Sequence, residues 1–170
     1  YLYETYLPAF KPLVDAKVEA VMCAYNRTND EPCCGSKTLL GDILRDQWGF
    51  QGHIVSDCWA LVDLHAGHKV TRTPAESAAM ALNHGVSLNC GSTFPHLVEA
   101  VEKGLATEET IDEMLAILLR TRFKLGMFDP AEMNPYAKTS TDGIRCEKHR
   151  QLAREAAAKS VVLLKNRNNV

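Results

Sequence analysis

The sequence lacks an excess of charge of either sign, and it lacks a long apolar run. Its 170 residues hold 19 Lys and Arg against 21 Asp and Glu, a net charge of −2. A basic surface for a polyanion is not expected, so we predict no nucleic-acid partner. No segment approaches the roughly 18 to 20 apolar residues of a membrane helix, and we predict no membrane association. The hydrophobic content of 46% is enough for a folded core.

Local motifs of cofactor and metal sites are also missing. There is no Gly-rich phosphate loop and no Gly-x-Ser-x-Gly nucleophile turn. His65 and His68 stand three residues apart with only Asp63 nearby, and a solvated loop is favoured over a metal site. We therefore predict neither a cofactor nor a metal.

Cysteine, in contrast, is plentiful for a cytosolic protein of this size, although no two cysteines form a Cys-x-x-Cys pair. Cys23, Cys58 and Cys90 lie in or just after apolar runs, and small buried thiols are the favoured interpretation. Cys33 and Cys34 lie in a loop, and the alternative is that one of them pairs with one of these three.

Short apolar runs alternate with segments of helical periodicity, which predicts an α/β fold with parallel strands. The predicted strands cover residues 18–25, 52–57 and 85–90. The predicted helices cover residues 3–18, 36–48, 74–83, 93–104 and 107–125, with a long polar loop at 61–73.

The remaining segment has a different character. Residues 128–146 carry no period and indicate a linker, followed by a predicted helix at 145–159 and a strand at 160–165. No strand precedes the first predicted helix, and no predicted element packs over the last strand. We therefore expect an α/β assembly that is cut at both ends. A closed eight-stranded barrel takes about 250 residues, and three strand–helix units cannot close one.

The ends of the predicted strands are where chemistry is expected, because active residues of parallel α/β folds collect there. Asp57 terminates an apolar run without an obvious charge partner. It is either placed for reaction or caps the turn after the strand. Trp59 either stacks on an apolar face such as a sugar ring or merely packs.

Five segments in order resemble glycoside hydrolase family 3. They are ETYLPAF at 4–10, VMCAYN at 21–26, GFQGHIVSD at 49–57, GVSLNCG at 85–91 and AREAAAKSVVLLKN at 153–166. The resemblance implies the C-terminal part of a TIM-like (β/α) barrel at 1–127, a linker at 128–146 and the start of an α/β sandwich domain at 147–170. It also accounts for both cut ends.

By matched position, the resemblance assigns the catalytic nucleophile of a retaining β-glycosidase to Asp57. Tyr25 and Met22 match pocket-lining positions, although core packing is favoured for Met22. The family's acid/base and sugar-clamping residues come from other segments, so the segment alone is expected to be inactive. Its expected partners are an oligosaccharide or aryl glycoside substrate and the remainder of its own polypeptide.

The sequence departs from the commonest family pattern in one place. Trp usually follows the nucleophile directly, whereas here Cys58 intervenes before Trp59. That departure weakens the assignment of a sugar contact to Trp59. The Asp-Cys pair and the Asn-Cys-Gly segment at 89–91 resemble the β-xylosidase branch, with β-glucosidase as the alternative. Relatives of this type are commonly exported, so a periplasmic or secreted location is expected.

Two other classes of protein compete with this interpretation. One is a non-catalytic sugar-binding homologue of the same fold that lacks the acid/base. The other is an unrelated barrel enzyme that binds phosphate esters. The absence of a Gly-rich phosphate loop counts against the second.

Overall fold

The computed structural model describes residues 1–167. Its contacts divide the chain into two units, Tyr1–Phe128 and the residues from Asp129 onward. Each unit is described by itself. None of the helices in residues 1–167 is long and apolar enough to span a membrane.

Two parallel strands lie at the centre of the first unit. β1 (Ala20–Cys23) pairs with a strand that comes later in the chain, His53–Ser56. Between them, β2 (Arg27–Thr28) and β3 (Glu31–Pro32) form a small antiparallel pair, so His53–Ser56 is β4. The predictions of parallel strands at 18–25 and 52–57 are confirmed, with shorter bounds.

The predicted third strand at 85–90 is wrong, because this segment makes only a single parallel bridge between Leu88 and Val55. The amides of Ser87 and Leu88 both donate to the Ile54 carbonyl, at 2.8 and 3.1 Å. The amide of Cys90 donates to the Ser56 hydroxyl at 3.0 Å. A side chain thus takes the place of a backbone partner, and the regular ladder ends after one rung.

The predicted helix at 3–18 is present in three pieces. They are a π-helical turn at Leu2–Tyr6, a 3₁₀ turn at Leu7–Ala9 and α1 at Lys11–Asp15. Pro8 and Pro12 lie in the first turns of the second and third pieces. Proline lacks the amide that a continuous helix needs, so each proline starts a new piece.

After β3, a 3₁₀ turn at Cys33–Gly35 leads into a helix at Lys37–Gln47, which is wound as a π-helix. Ser36 caps this helix, since its hydroxyl accepts the Leu39 amide at 2.9 Å. The helix buries the side chains of Leu40, Ile43 and Leu44. The predicted helix at 36–48 is therefore confirmed.

The loop predicted at 61–73 is wrong over its first half, which forms α2 (Ala60–Ala66). Ala60, Leu61 and Leu64 are buried there, at helical spacing. α3 (Pro74–Asn83) has the predicted bounds, and Thr73 caps it by accepting the Glu76 amide at 3.2 Å.

Two further helices complete the first unit. A 3₁₀ turn at Phe94–His96 precedes α4 (Leu97–Glu102), and α5 spans Glu108–Lys124. Both agree with the predicted helices. One cluster of buried apolar side chains includes Ile54 of β4 with Leu61 and Leu64 of α2. A second cluster lies where α3, α4 and α5 meet.

The second unit is largely exposed. It contains 3₁₀ turns at Ala131–Met133, Pro135–Lys138 and Thr141–Gly143, followed by α6 at Glu147–Ser160. The predicted helix at 145–159 is confirmed. The strand predicted at 160–165 is wrong, since Ser160 ends α6 and residues 161–165 form no strand. A strand needs a hydrogen-bonded neighbour, and the described residues provide none.

Candidate active site

Asp57 lies directly after β4, at the carboxyl end of the strand pair. Its amide donates to the Cys23 carbonyl of β1 at 3.1 Å. Its carboxylate accepts the Cys58 amide at 2.7 Å, and its carbonyl accepts the Ala60 amide at 3.1 Å. The residue therefore holds the turn between β4 and α2, the role that the turn-capping alternative gives it. It also presents a carboxylate where parallel α/β folds place reactive groups.

A disulfide joins Cys58, the residue after Asp57, to Cys90. The amide of Trp59 donates to the Cys90 carbonyl at 2.7 Å. The Asp57 turn is thus fixed to the 85–90 segment both covalently and by a hydrogen bond. The favoured interpretation of Cys58 and Cys90 as free buried thiols is wrong, because the two chain segments bring these residues 4.4 Å apart at Cα.

A second disulfide joins Cys23, at the end of β1, to Cys34. Pairing of a loop cysteine with one of the three strand cysteines, the alternative in the sequence analysis, is confirmed for this pair. Cys33 is a free, buried thiol and Cys146 is also free. One disulfide therefore begins at the last residue of β1, and the other begins two residues after the end of β4.

Tyr25 follows β1 and reaches across to the Asp57 turn. Its hydroxyl donates to the Cys58 carbonyl. Desolvation, followed by the negative charges of Asp57 and Asp63, raises the pKa of Tyr25 above its ordinary value. The phenol therefore stays protonated at neutral pH, and its one O–H is donated to the carbonyl of the residue after Asp57.

Trp59 and Met22, the two other predicted pocket residues, are each 59% exposed. Neither side chain packs into the core formed by residues 1–167. Met22 occupies the exposed position of β1, between the half-buried Val21 and the buried Cys23. Trp59 has φ of 71°, a left-handed conformation that is costly for a bulky side chain. Such strain persists only where surrounding contacts enforce it. Here these contacts are the Cys58–Cys90 disulfide and the hydrogen bond from the Trp59 amide to the Cys90 carbonyl.

His65 and His68 point to different partners. His65 Nδ1 lies 2.9 Å from the Ser77 hydroxyl on α3. His68 contacts Arg27 and the Tyr25 carbonyl. No group of three or more His, Cys, Asp or Glu side chains in residues 1–167 could hold a metal ion.

Two features of this site were not predicted from the sequence, namely the Cys58–Cys90 disulfide and the contact between Arg27 and His68. The resemblance of the Asp-Cys and Asn-Cys-Gly segments was a signal for the disulfide. No pattern in the sequence pointed to the second contact, because 41 residues separate its two members.

Comparison with known proteins identifies the fold. Residues 1–121 match the family described as Glycosyl hydrolase family 3 N terminal domain. The chain belongs to this family.

The curated relatives are glycoside hydrolases. The chain is 48% identical over 170 residues to the probable exo-1,4-β-xylosidase bxlB of Aspergillus clavatus, covering 97% of this chain and 22% of the relative. It is 42% identical to the xylan 1,4-β-xylosidase of Xylanibacter ruminicola, covering 99% of this chain and 20% of the relative. The chain thus spans about a fifth of the length of these relatives.

Solved structures of the family share the fold of this chain. A GH3 exo-β-xylosidase (XlnD) in complex with a xylobiose aziridine probe matches at a TM-score of 0.84 and 32% identity, over 98% of this chain and 22% of that one. A β-glucosidase from Listeria innocua in complex with glucose matches at 0.79 and 31%, over 99% and 23%.

Proposed function

We propose that this chain is the nucleophile-bearing part of a longer exo-acting, retaining β-glycosidase. Its substrates are β-xylosides or β-glucosides of plant-type oligosaccharides, or their aryl analogues. The observation that carries the proposal is the position of Asp57. It lies at the carboxyl end of a parallel strand within the family match, and a protonated tyrosine stands beside it.

In this proposal, the first unit is the C-terminal part of a TIM-like barrel. Residues 128–146 form a linker, and residues 147–170 begin an α/β sandwich domain. Each strand of a closed parallel barrel has two neighbours, whereas β1 pairs only with β4 in the described residues. An apolar groove of about 870 Å³ lies beside β1 and is lined in part by Phe10, Leu13 and Val21. A preceding barrel strand from the rest of the polypeptide fits this groove.

The chemistry is a double displacement. The Asp57 carboxylate attacks the anomeric carbon, and the bond from that carbon to the leaving oxygen breaks as a second carboxylic acid protonates the oxygen. This acid comes from the remainder of the polypeptide and lies about 5 to 5.5 Å from Asp57 in retaining enzymes. Water, deprotonated by the same group, then attacks the glycosyl ester and releases Asp57.

The other predicted pocket residues have distinct tasks. The Tyr25 phenol has one O–H, which it transfers from the Cys58 carbonyl to the carboxylate or to the sugar when substrate binds. Met22 lines the pocket, and the Trp59 ring offers a stacking face to a sugar. The exposed side chain of Trp59 supports its assignment, whereas Met22 also lines the groove beside β1.

The segment by itself is expected to be inactive, because it supplies neither the acid nor the sugar-clamping groups. We further propose that the whole protein is periplasmic or secreted. The two disulfides support this location, since disulfides persist in oxidising compartments.

The test uses the full-length protein with aryl β-xylosides and β-glucosides, and follows the first-formed sugar by proton NMR. We expect hydrolysis with release of the β-anomer, and the ratio of the two values of kcat/KM ranks xylose against glucose. Release of the α-anomer overturns the retaining mechanism. Sugar binding without hydrolysis of either substrate favours the non-catalytic homologue.

A further inference from the structure

His68 is held at both ring nitrogens. Arg27 Nε lies 3.2 Å from Nδ1, and the carbonyl oxygen of Tyr25 lies 2.8 Å from Nε2. Arg27 Nη2 also donates to the His68 carbonyl at 2.6 Å. Three hydrogen bonds therefore join the segment after β1 to the turn after α2, and one of them ends on the backbone of Tyr25.

These partners define the protonation state of the ring. An arginine Nε–H can only donate, so Nδ1 must accept and carries no proton. A carbonyl oxygen can only accept, so Nε2 must donate and carries the proton. The arrangement requires the neutral Nε2–H tautomer of His68, because a proton on Nδ1 would face the N–H of Arg27.

We propose that His68 and Arg27 form a latch that positions Tyr25 beside Asp57, and that its bond between Arg27 Nε and His68 Nδ1 forms only when His68 is neutral. Closed, it fixes the Tyr25 backbone while the Tyr25 hydroxyl bonds the Cys58 carbonyl. Protonation of His68 places an N–H at Nδ1 against the N–H of Arg27 and removes this bond, while the bond from Nε2 to the Tyr25 carbonyl is kept. His68 and Arg27 are positioning residues, since both act through Tyr25. The role of Tyr25 toward substrate rests on the proposed function.

The charged residues that contact His68 or adjoin it in the chain come from three segments. Arg27 is in direct contact with His68, and Lys69 follows it in the chain. Asp63 on α2 accepts the His68 amide through its carbonyl at 2.6 Å. Asp63 and Asp57 also bear on Tyr25, whose pKa they raise.

The kinetic test compares two variants in the full-length protein. His68→Gln keeps an amide donor and acceptor but cannot titrate, whereas His68→Leu removes both hydrogen bonds. We expect kcat/KM of His68→Leu to fall about tenfold across the pH range. We expect His68→Gln to retain most of the activity and to lose the part of the acid-side decline that comes from His68. His149→Gln, an exposed histidine of α6, is the matched control and leaves the profile unchanged.

A second measurement does not depend on activity. We expect crystal structures of the full-length protein at about pH 8 to show Arg27 Nε within hydrogen-bond distance of His68 Nδ1. At about pH 5 this contact should be broken. A contact that persists at the lower pH overturns the latch, as does an unchanged acid limb in His68→Gln. If the protein neither hydrolyses nor binds glycosides, the proposed function fails while the crystals still decide whether the latch responds to pH.

Discussion

The two ends of the β1–β4 pair are held by different forces. The carboxyl end carries two disulfides, Cys23–Cys34 and Cys58–Cys90, around the Asp57 turn. The amino end has no disulfide in the described chain and is closed by polar contacts. There, Arg45 Nη1 donates to the carbonyls of Phe50 and Gly52 at 2.9 and 2.7 Å.

The amino end also contains an ion pair. Lys124 of α5 lies 2.9 Å from the Glu19 carboxylate, and the Thr121 hydroxyl donates to the same carboxylate at 3.0 Å. Burial lowers the pKa of Arg45, whose guanidinium lies 5.1 Å from the Phe50 ring centroid. Most of these groups are paired with one another, although Arg45 Nη2 is buried without a hydrogen-bond partner in the described residues. The comparison teaches that the amino end serves stability, while the cross-linked end keeps polar side chains available for chemistry.

The largest expected effect comes from the carboxyl end. In the full-length protein, Asp57→Asn removes the proposed nucleophile while conserving the shape of the side chain. We expect kcat/KM on an aryl β-xyloside to fall at least about a thousandfold. The exposed Asp15, paired with Lys11 at 2.8 Å, provides the control Asp15→Asn, which should leave the rate unchanged. A rate for Asp57→Asn within tenfold of the wild type would contradict the assignment.

The two disulfides sharpen the comparison next. Cys58→Ser/Cys90→Ser opens a link that spans 32 residues, and Cys23→Ser/Cys34→Ser opens one that spans 11. Chain entropy predicts losses of about 4 and about 3 kcal/mol in the free energy of unfolding. Because Cys58 adjoins Asp57, we expect the first double variant to lose roughly tenfold more activity as well. Unfolding curves and initial rates measure both effects, and equal activity losses would show that the Cys58–Cys90 link has no special role.

Substitutions at the amino end of the strand pair should lower stability and leave activity largely unchanged. Arg45→Met leaves the carbonyls of Phe50 and Gly52 without their donor, and we expect the free energy of unfolding to fall by about 2 kcal/mol. The kcat/KM of the folded protein should stay within about twofold of the wild type, since no proposed pocket residue contacts Arg45. Arg120→Met, on the exposed side of α5, is the control for loss of an arginine charge. A large activity loss without a stability loss would break the comparison.

The smallest effect is a pH dependence at Glu19. The hydrogen bond from Lys124, aided by that from Thr121, outweighs burial and holds the pKa of Glu19 below its ordinary value. This lowered pKa means that the contribution is present above the unfolded value of about 4.3. It is lost as the pH falls through the folded value. Because both side chains are more than one third exposed, we expect less than about 1 kcal/mol.

Unfolding midpoints of wild type and Glu19→Gln at about pH 7 and about pH 3 check this sign. The difference between the two proteins should be present at the higher pH and shrink at the lower one. Glu102→Gln, an exposed carboxylate at the end of α4, controls for the loss of a surface charge. A difference that grows on acidification would refute the role of the ion pair.

Periodicity predicted the helices whose start and buried face are marked by residues within the helix or next to it. The helix at 74–83 was predicted with the bounds of α3, because Thr73 and Pro74 mark its start locally. The helix α2 at Ala60–Ala66 was missed although Leu61 and Leu64 lie at helical spacing. Their polar neighbours Asp63, His65 and His68 favoured a loop.

The candidate site was predictable only in part. Asp57 could be singled out from its position after an apolar run, and the family resemblance gave it a role. The pairing of Cys58 with Cys90 depends on two turns 32 residues apart meeting in space. The third strand failed for a similar reason, since the Ser56 hydroxyl accepts the Cys90 amide in place of a ladder bond. Contacts between residues so far apart in the chain leave no pattern in the local sequence.

The most direct test of the central claim is to trap the covalent intermediate. The full-length protein is treated with a 2-fluoro β-xyloside carrying a good leaving group, and the inactivated protein is digested and mapped by mass spectrometry. The fluorine slows both displacement steps, so the glycosyl-enzyme accumulates. We predict one sugar per chain, attached to Asp57 within the peptide that contains Ser56 and Cys58. Stoichiometric labelling of a different residue would contradict the assignment of the nucleophile.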